Sequence, residues 1–248
     1  MTEWLEPKAC PQCGATAGST LACLACGKLL EEGPDADHFA RLGVSPFDPP
    51  DDDALELAYL RLSRLLHPDF QGDADEATQQ LAVSHSASLN HAYNTLRDEQ
   101  ARHEYLLELF HPGSLEKHKT LDPAFLMEAM EVNEELEQAH EDGCADTVNR
   151  IASMARSEIT DRMADVAAAC SATFQRIAGA ESHTPEADAE AATDTSPTPR
   201  NSGETSAAPR AITAHWDTAE IATLLHQARV YRRILRDSNT TPPRTGNP

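Results

Sequence analysis

The residues best suited to chemistry in this chain are its cysteines, and four of the six are paired. Cys10-Pro-Gln-Cys13-Gly14 and Cys23-Leu-Ala-Cys26-Gly27 form two matching knuckles, with nine residues between Cys13 and Cys23. The glycine after each pair is free to take a positive φ, so the backbone turns tightly enough for both thiolates to face one ion. Two knuckles close a tetrahedral site. Four thiolates leave no position for water, so zinc held by Cys10, Cys13, Cys23 and Cys26 would be structural and could not serve as a hydrolytic centre. Iron is the alternative, because four-thiolate geometry alone does not choose the metal. A thiol oxidoreductase is disfavoured by two spaced pairs without a thioredoxin-like βαβ pattern. Cys144 and Cys170 stand singly and read as packing residues.

The second candidate is the tripeptide His67-Pro68-Asp69. Before it Leu55, Ala58, Tyr59, Leu62, Leu65 and Leu66 recur at helical spacing, while Glu56, Arg61, Ser63 and Arg64 fall on the other side. This spacing predicts an amphipathic helix with a basic outer face. The Pro68 ring pushes His67 out of the α region, so the helix ends there and displays the tripeptide on a tight exit loop. No Gly-rich phosphate loop, nucleophile elbow or paired catalytic constellation occurs, and the chain is predicted not to be an enzyme.

The elements that must position these residues read as helices. At 248 residues the chain has room for one or two domains, and 40% hydrophobic residues with only 5% aromatics imply cores of Leu, Ala, Ile and Met between helices. A net charge of -21 argues against nucleic acid or an anionic membrane as partner. The start MTEWLEPK has no apolar leader and no run reaches membrane length, so a soluble cytoplasmic protein is expected.

In chain order, a linker at 31–37 precedes a short helix from His38 that Gly43 stops, and Asp51 to Asp53 cap the basic helix. A helix from Glu76 to Leu96 would pack antiparallel to it, and Asp98 to Phe110 form another helix before the polar link SLEKHKT. Asp122-Pro123 starts a helix, and a stripe from Val148 to Ile177 predicts a long one ended by Gly179. Residues 181–210 lack apolar anchors and read as a disordered insertion. A last amphipathic helix follows Asp217, with Arg229, Arg232, Arg233 and Arg236 off its apolar seam. The predicted domains are therefore a metal module at 1–30, a helical domain at 37–111 and a three-helix antiparallel bundle at 122–238, interrupted by the insertion. The metal module is expected to fold on its own ion, so that losing the ion would leave the helices intact.

A basic amphipathic helix followed directly by His-Pro-Asp resembles helix II and the signature tripeptide of a J domain, and His38 to Gly43 resembles its first helix. Ala124-Phe125-Leu126-Met127-Glu128, then Met130-Glu131 and Glu134-Glu135-Leu136, with Arg102 and Tyr105-Leu106-Leu107 before them, are similar to the HscB family, J-domain co-chaperones of iron-sulfur cluster biogenesis. The resemblance covers about 37–179 and 216–237.

It implies that the J domain binds a DnaK- or HscA-type chaperone, that His67, Pro68 and Asp69 trigger ATP hydrolysis there, and that Arg61 and Arg64 meet an acidic surface. It also implies that Leu126, Met127, Met130, Glu131 and Glu134, completed by Tyr231 from the last helix, hold an iron-sulfur scaffold of the IscU type. Leu126, Met130 and Glu134 share one face by spacing; spacing alone would make the apolar two core residues, and the match in identity reverses that. Phe70 stands where many J domains carry Lys, which removes any argument from charge just beyond the tripeptide. The four-cysteine module belongs to only some family members. The alternative is a general J-domain co-chaperone for a different client. A zinc-ribbon nucleic-acid adaptor is disfavoured, because residues 1–37 hold two Lys against six Asp or Glu.

Overall fold

The computed structural model describes residues 9–33, 36–47, 51–67, 75–181 and 216–240. They contain eight helices, α1 His38–Leu42, α2 Asp52–Leu66, α3 Glu76–Arg97, α4 Glu99–Phe110, α5 Ser114–Lys117, α6 Pro123–Glu141, α7 Ala145–Glu181 and α8 Thr218–Ser238. The only β pairing among these residues is two isolated antiparallel bridges in the cysteine region, Ala9 with Thr16 and Ala22 with Leu29. The all-α class is as predicted.

Aspartate starts most of these helices. Asp37, Asp51, Asp75, Asp98, Asp122 and Asp217 each accept a hydrogen bond from a backbone N–H of the first turn, at 2.7–3.0 Å. Each cap satisfies a donor the helix leaves open and sets a negative charge against the positive end of the helix dipole. Part of the chain's acidity is thus spent locally.

The apolar faces gather in two clusters that do not respect the predicted domains. The larger joins Phe39, Leu55, Leu62, Leu66 and Leu89 of α1–α3 to Leu106, Leu107 and Phe110 of α4. It also takes in Leu21, Ala22 and Leu29 of the cysteine module, Met163, Val166 and Cys170 of α7, and Ile221, Leu225 and Ala228 of α8. The smaller joins Phe125 and Leu136 of α6 to Ile151 and Ala155 of α7 and to Tyr231 and Ile234 of α8. Long α7 and α8 therefore serve both cores, one with each half of their length.

Two local expectations are corrected. The link after His111 contains the helical turn α5 rather than a plain polar loop. Helix α7 runs past Gly179 to Glu181, since an internal glycine weakens a helix by about 1 kcal/mol without ending it. Two of the arginines off the α8 seam are paired: Nε and Nη2 of Arg229 bind the Glu104 carboxylate at 2.6–2.7 Å, and Nη1 of Arg232 binds both oxygens of Asp98 at 2.7–3.0 Å. The rest of the predicted insertion, from 182 on, lies outside the described residues.

Candidate functional site

The two knuckles repeat one backbone pattern. Gly14 donates its N–H to the Cys10 carbonyl at 2.9 Å and Gly27 to that of Cys23 at 2.8 Å, with φ of +73° and +77°. This turns the four side chains inward, and their sulfurs all lie within 4.8 Å of one another. Cys10 Sγ stands 3.6 Å from Cys26 Sγ, and Cys13 Sγ stands 3.8 Å from Cys23 Sγ. Tetrahedral coordination with metal–sulfur bonds of about 2.3 Å separates ligand sulfurs by about 3.8 Å, so the cradle has the size of a four-thiolate metal site. None of the four is in a disulfide. The cluster splits the acidity of Cys10 and Cys26: the Cys13 N–H lowers the Cys10 thiol to about 7, whereas Cys26, despite the favourable Lys28 N–H, is raised to about 12 by desolvation and the neighbouring sulfurs.

The module is built onto α1. Thr20 donates its N–H to the Ala40 carbonyl at 3.1 Å, and the Ser19 hydroxyl donates to that of Arg41 at 2.6 Å. Gly43, the left-handed cap of α1, brings its backbone so close to the cysteine module that a Cβ there would stand 1.9 Å from the Gly18 carbonyl oxygen.

On α2 the buried residues Leu55, Leu62 and Leu66 face the core, and Tyr59 stacks on Tyr93 of α3 at 4.2 Å while donating its hydroxyl to Asn90 at 2.9 Å. Opposite, Arg61 and Arg64 are exposed and make no ion pair among the described residues. His67 ends the helix in extended conformation, φ -65° and ψ 136°, and is exposed at its tip. Pro68 and Asp69, like Phe70, lie outside the described residues. Leu57 and Leu60, not singled out from the sequence, are also exposed on α2; their signal was position, two leucines off the apolar stripe.

On α6 the core side is Phe125, Ala129, Leu136 and Ala139. The outer side exposes Leu126 at 42%, Met127 at 64% and Met130 at 61%, with Glu131 and Glu134 exposed beside them. Tyr231 does not complete this face. It is only 4% exposed, its ring packs edge-on against Phe125 at 5.7 Å, and the Arg162 guanidinium covers it at 4.6 Å. The seam of α8 turns Tyr231 into the smaller core, where its bulk fixes α6 against α7 and α8. Helices α2 and α6 do not touch each other.

Comparison with known proteins agrees with this layout. Residues 37–105 match the family model of the DnaJ domain, and residues 121–193 match that of the HSCB C-terminal oligomerisation domain. The crystal structure of the human co-chaperone protein HscB is similar over 92% of this chain and 96% of that chain, with a TM-score of 0.52 and 22% identity. The chaperone HscB from Vibrio cholerae is similar over 82% of this chain and 94% of its own, with a TM-score of 0.47 and 23% identity.

Proposed function

The chain belongs to the HscB family of J-domain co-chaperones, and from that premise we propose that it stimulates the ATPase of a DnaK- or HscA-type chaperone and delivers to it an iron-sulfur scaffold protein of the IscU type. The observation that carries the reading is one chain with two separated surfaces: α2, basic on its outer side and ending at His67, and α6, which exposes Leu126, Met127 and Met130 beside Glu131 and Glu134.

Arg61 and Arg64 steer α2 to an acidic surface on the ATPase, raising the rate of productive encounter. His67, Pro68 and Asp69 then act only if they touch the hydrolysis-ready conformation differently from the resting one, because a ligand shifts an equilibrium by its differential affinity alone. The two surfaces lie on helices that do not touch, so client and ATPase can be held at once. Cys10, Cys13, Cys23 and Cys26 hold zinc in a structural role. Six unbridged cysteines suit a reducing compartment, and we place the protein in the cytoplasm.

The test measures chaperone ATPase with and without an IscU-type scaffold. His67→Gln or Asp69→Ala abolishes stimulation and leaves scaffold binding intact. Leu126→Ala with Met127→Ala weakens scaffold binding, each truncation removing about 1–3 kcal/mol, and leaves scaffold-independent stimulation unchanged. Normal scaffold binding by a folded α6 double variant overturns the client assignment and leaves the general J-domain alternative. If each variant loses both activities, the two-surface reading fails.

A further inference from the structure

Six large apolar side chains stand exposed among the described residues, and two of them, Leu57 at 59% and Leu60 at 54%, lie on α2. Three others make the α6 face, and Val83 lies on α3. At the helical angle per residue, Leu57, Leu60, Arg61 and Arg64 fall within about 100° of arc, so they form one stripe that runs down α2 toward His67. The i, i+4 spacing sets Leu57 beside Arg61 and Leu60 beside Arg64. The methylene stems of the arginines thereby widen an apolar surface whose charged heads stay in water.

Neither leucine is explained by folding. Each contributes little to the core, and helix propensity does not require it, because Leu, Lys, Arg and Gln differ little there. A single exposed leucine is ordinary. Two in register with two arginines that have no ion-pair partner among the described residues, on the helix read as facing an ATPase, are a surface with a chemistry.

We propose that Leu57 and Leu60 are apolar anchors of the ATPase-facing side of α2. The partner they fit is an Hsp70-type chaperone whose docking surface carries an apolar depression flanked by carboxylates. The inference rests on the J-domain reading of α2 and deepens it, since an all-basic helix would suit any acidic surface, whereas a mixed stripe selects among Hsp70-type chaperones by apolar fit.

Charge and apolar fit respond oppositely to added lysine, and the test uses that difference. The full chain is titrated into each Hsp70-type ATPase of the source organism at low and high salt, and the concentration for half-maximal stimulation is read. Leu57→Ala with Leu60→Ala raises it about tenfold at either salt. Leu57→Lys with Leu60→Lys raises it at least as far despite two added positive charges, and the conservative Met pair stays near wild type. Arg61→Ala with Arg64→Ala acts mainly at low salt. The single lysine variants report the same sign where a double variant melts early.

A lysine variant that stimulates at equal or lower concentration, or an unchanged alanine variant, overturns the apolar anchors. If His67→Gln and the arginine variant still impair stimulation, only this inference falls. If they too are silent, the reading of α2 as the ATPase-facing helix fails with it.

Discussion

Gly43 shows how a single backbone position can join two parts of a molecule. Its φ of +71° nearly equals the +82° of Gly113, but a Cβ at Gly113 would meet nothing within 4 Å, whereas one at Gly43 would collide with the Gly18 carbonyl oxygen. Gly113→Ala should therefore lose only the left-handed penalty of about 1–2 kcal/mol. Gly43→Ala should lose about 3 kcal/mol or more, because either the cap or the cysteine module must shift; urea unfolding of the two variants measures the difference directly.

Titration gives a second residue-scale prediction. Burial, with the facing charges of His91 and Arg41, holds His38 at about 4 against its ordinary 6.5, and burial also lowers His85, His103 and His111. The Arg41 guanidinium donates toward His38 Nδ1 at 3.2 Å, which requires a neutral ring accepting there. The unfolded chain thus binds protons below 6.5 that the folded chain refuses, and stability falls as pH drops from 6.5 toward 4. Asp37, raised by burial above its ordinary 3.8, opposes the trend near the bottom of that range. Urea midpoints should decline from pH 7 to 5, and His38→Gln should flatten the decline; an unchanged slope would assign it to the other histidines.

At the scale of elements, the helix starts were legible because an aspartate cap is a local device, read within four residues. The partners of the helices were not. A 3.6-residue period says that one face of α7 or α8 is apolar, but it does not say that Met163 and Leu225 meet the J-domain side while Ile151 and Tyr231 meet α6. The family resemblance sets Tyr231 on the scaffold face, whereas its place on the apolar seam of α8 puts it in the smaller core. Helix α4 is the extreme case. It buries Gln100, His103, Leu106, Leu107 and Phe110 along one stripe of about 120°, and that single stripe is shared among α3, α7 and α8.

The seam between α4 and α8 carries the two arginine pairs, whose side chains are partly exposed, so solvent screens them. Fork-to-fork geometry lifts the Arg229 pair to the upper end of the surface range, while Arg232 reaches both Asp98 oxygens through Nη1 alone, and each pair is worth about 0.5–1 kcal/mol. Arg229→Ala with Arg232→Ala should destabilise the chain by about 1–2 kcal/mol, less at high salt. Exchanging the charges, Glu104→Arg with Arg229→Glu, should recover part of one pair in a double-mutant cycle.

For the whole molecule, the knuckle spacing announced a metal site, but nothing in that spacing revealed that the module lacks a core of its own. Leu21, Ala22 and Leu29 are buried in the same cluster as Phe39, Leu42 and Leu55, the Thr20 backbone hydrogen-bonds to Ala40, and the Ser19 hydroxyl hydrogen-bonds to the Arg41 carbonyl. The expectation that metal loss leaves the helices intact is therefore reversed. If an ion ties the four thiolates, its removal should cost the module its fold and return to water the face of α1–α3 that it covers. Exposing even 200 Å² of apolar surface there would weaken the J domain by about 5 kcal/mol at 25 cal/mol per Å², an upper estimate because the freed chain stays partly collapsed. Chelation, or Cys10→Ser with Cys23→Ser, should lower the thermal midpoint of the helical signal at 222 nm in the full chain. It should also reduce ATPase stimulation at temperatures between the two midpoints. Scaffold binding should survive longer, because the α6 face rests on the smaller cluster, to which the cysteine module contributes no residue. Helices that melt at an unchanged temperature after the metal is removed would make the module a passenger on α1, and the shared cluster energetically idle.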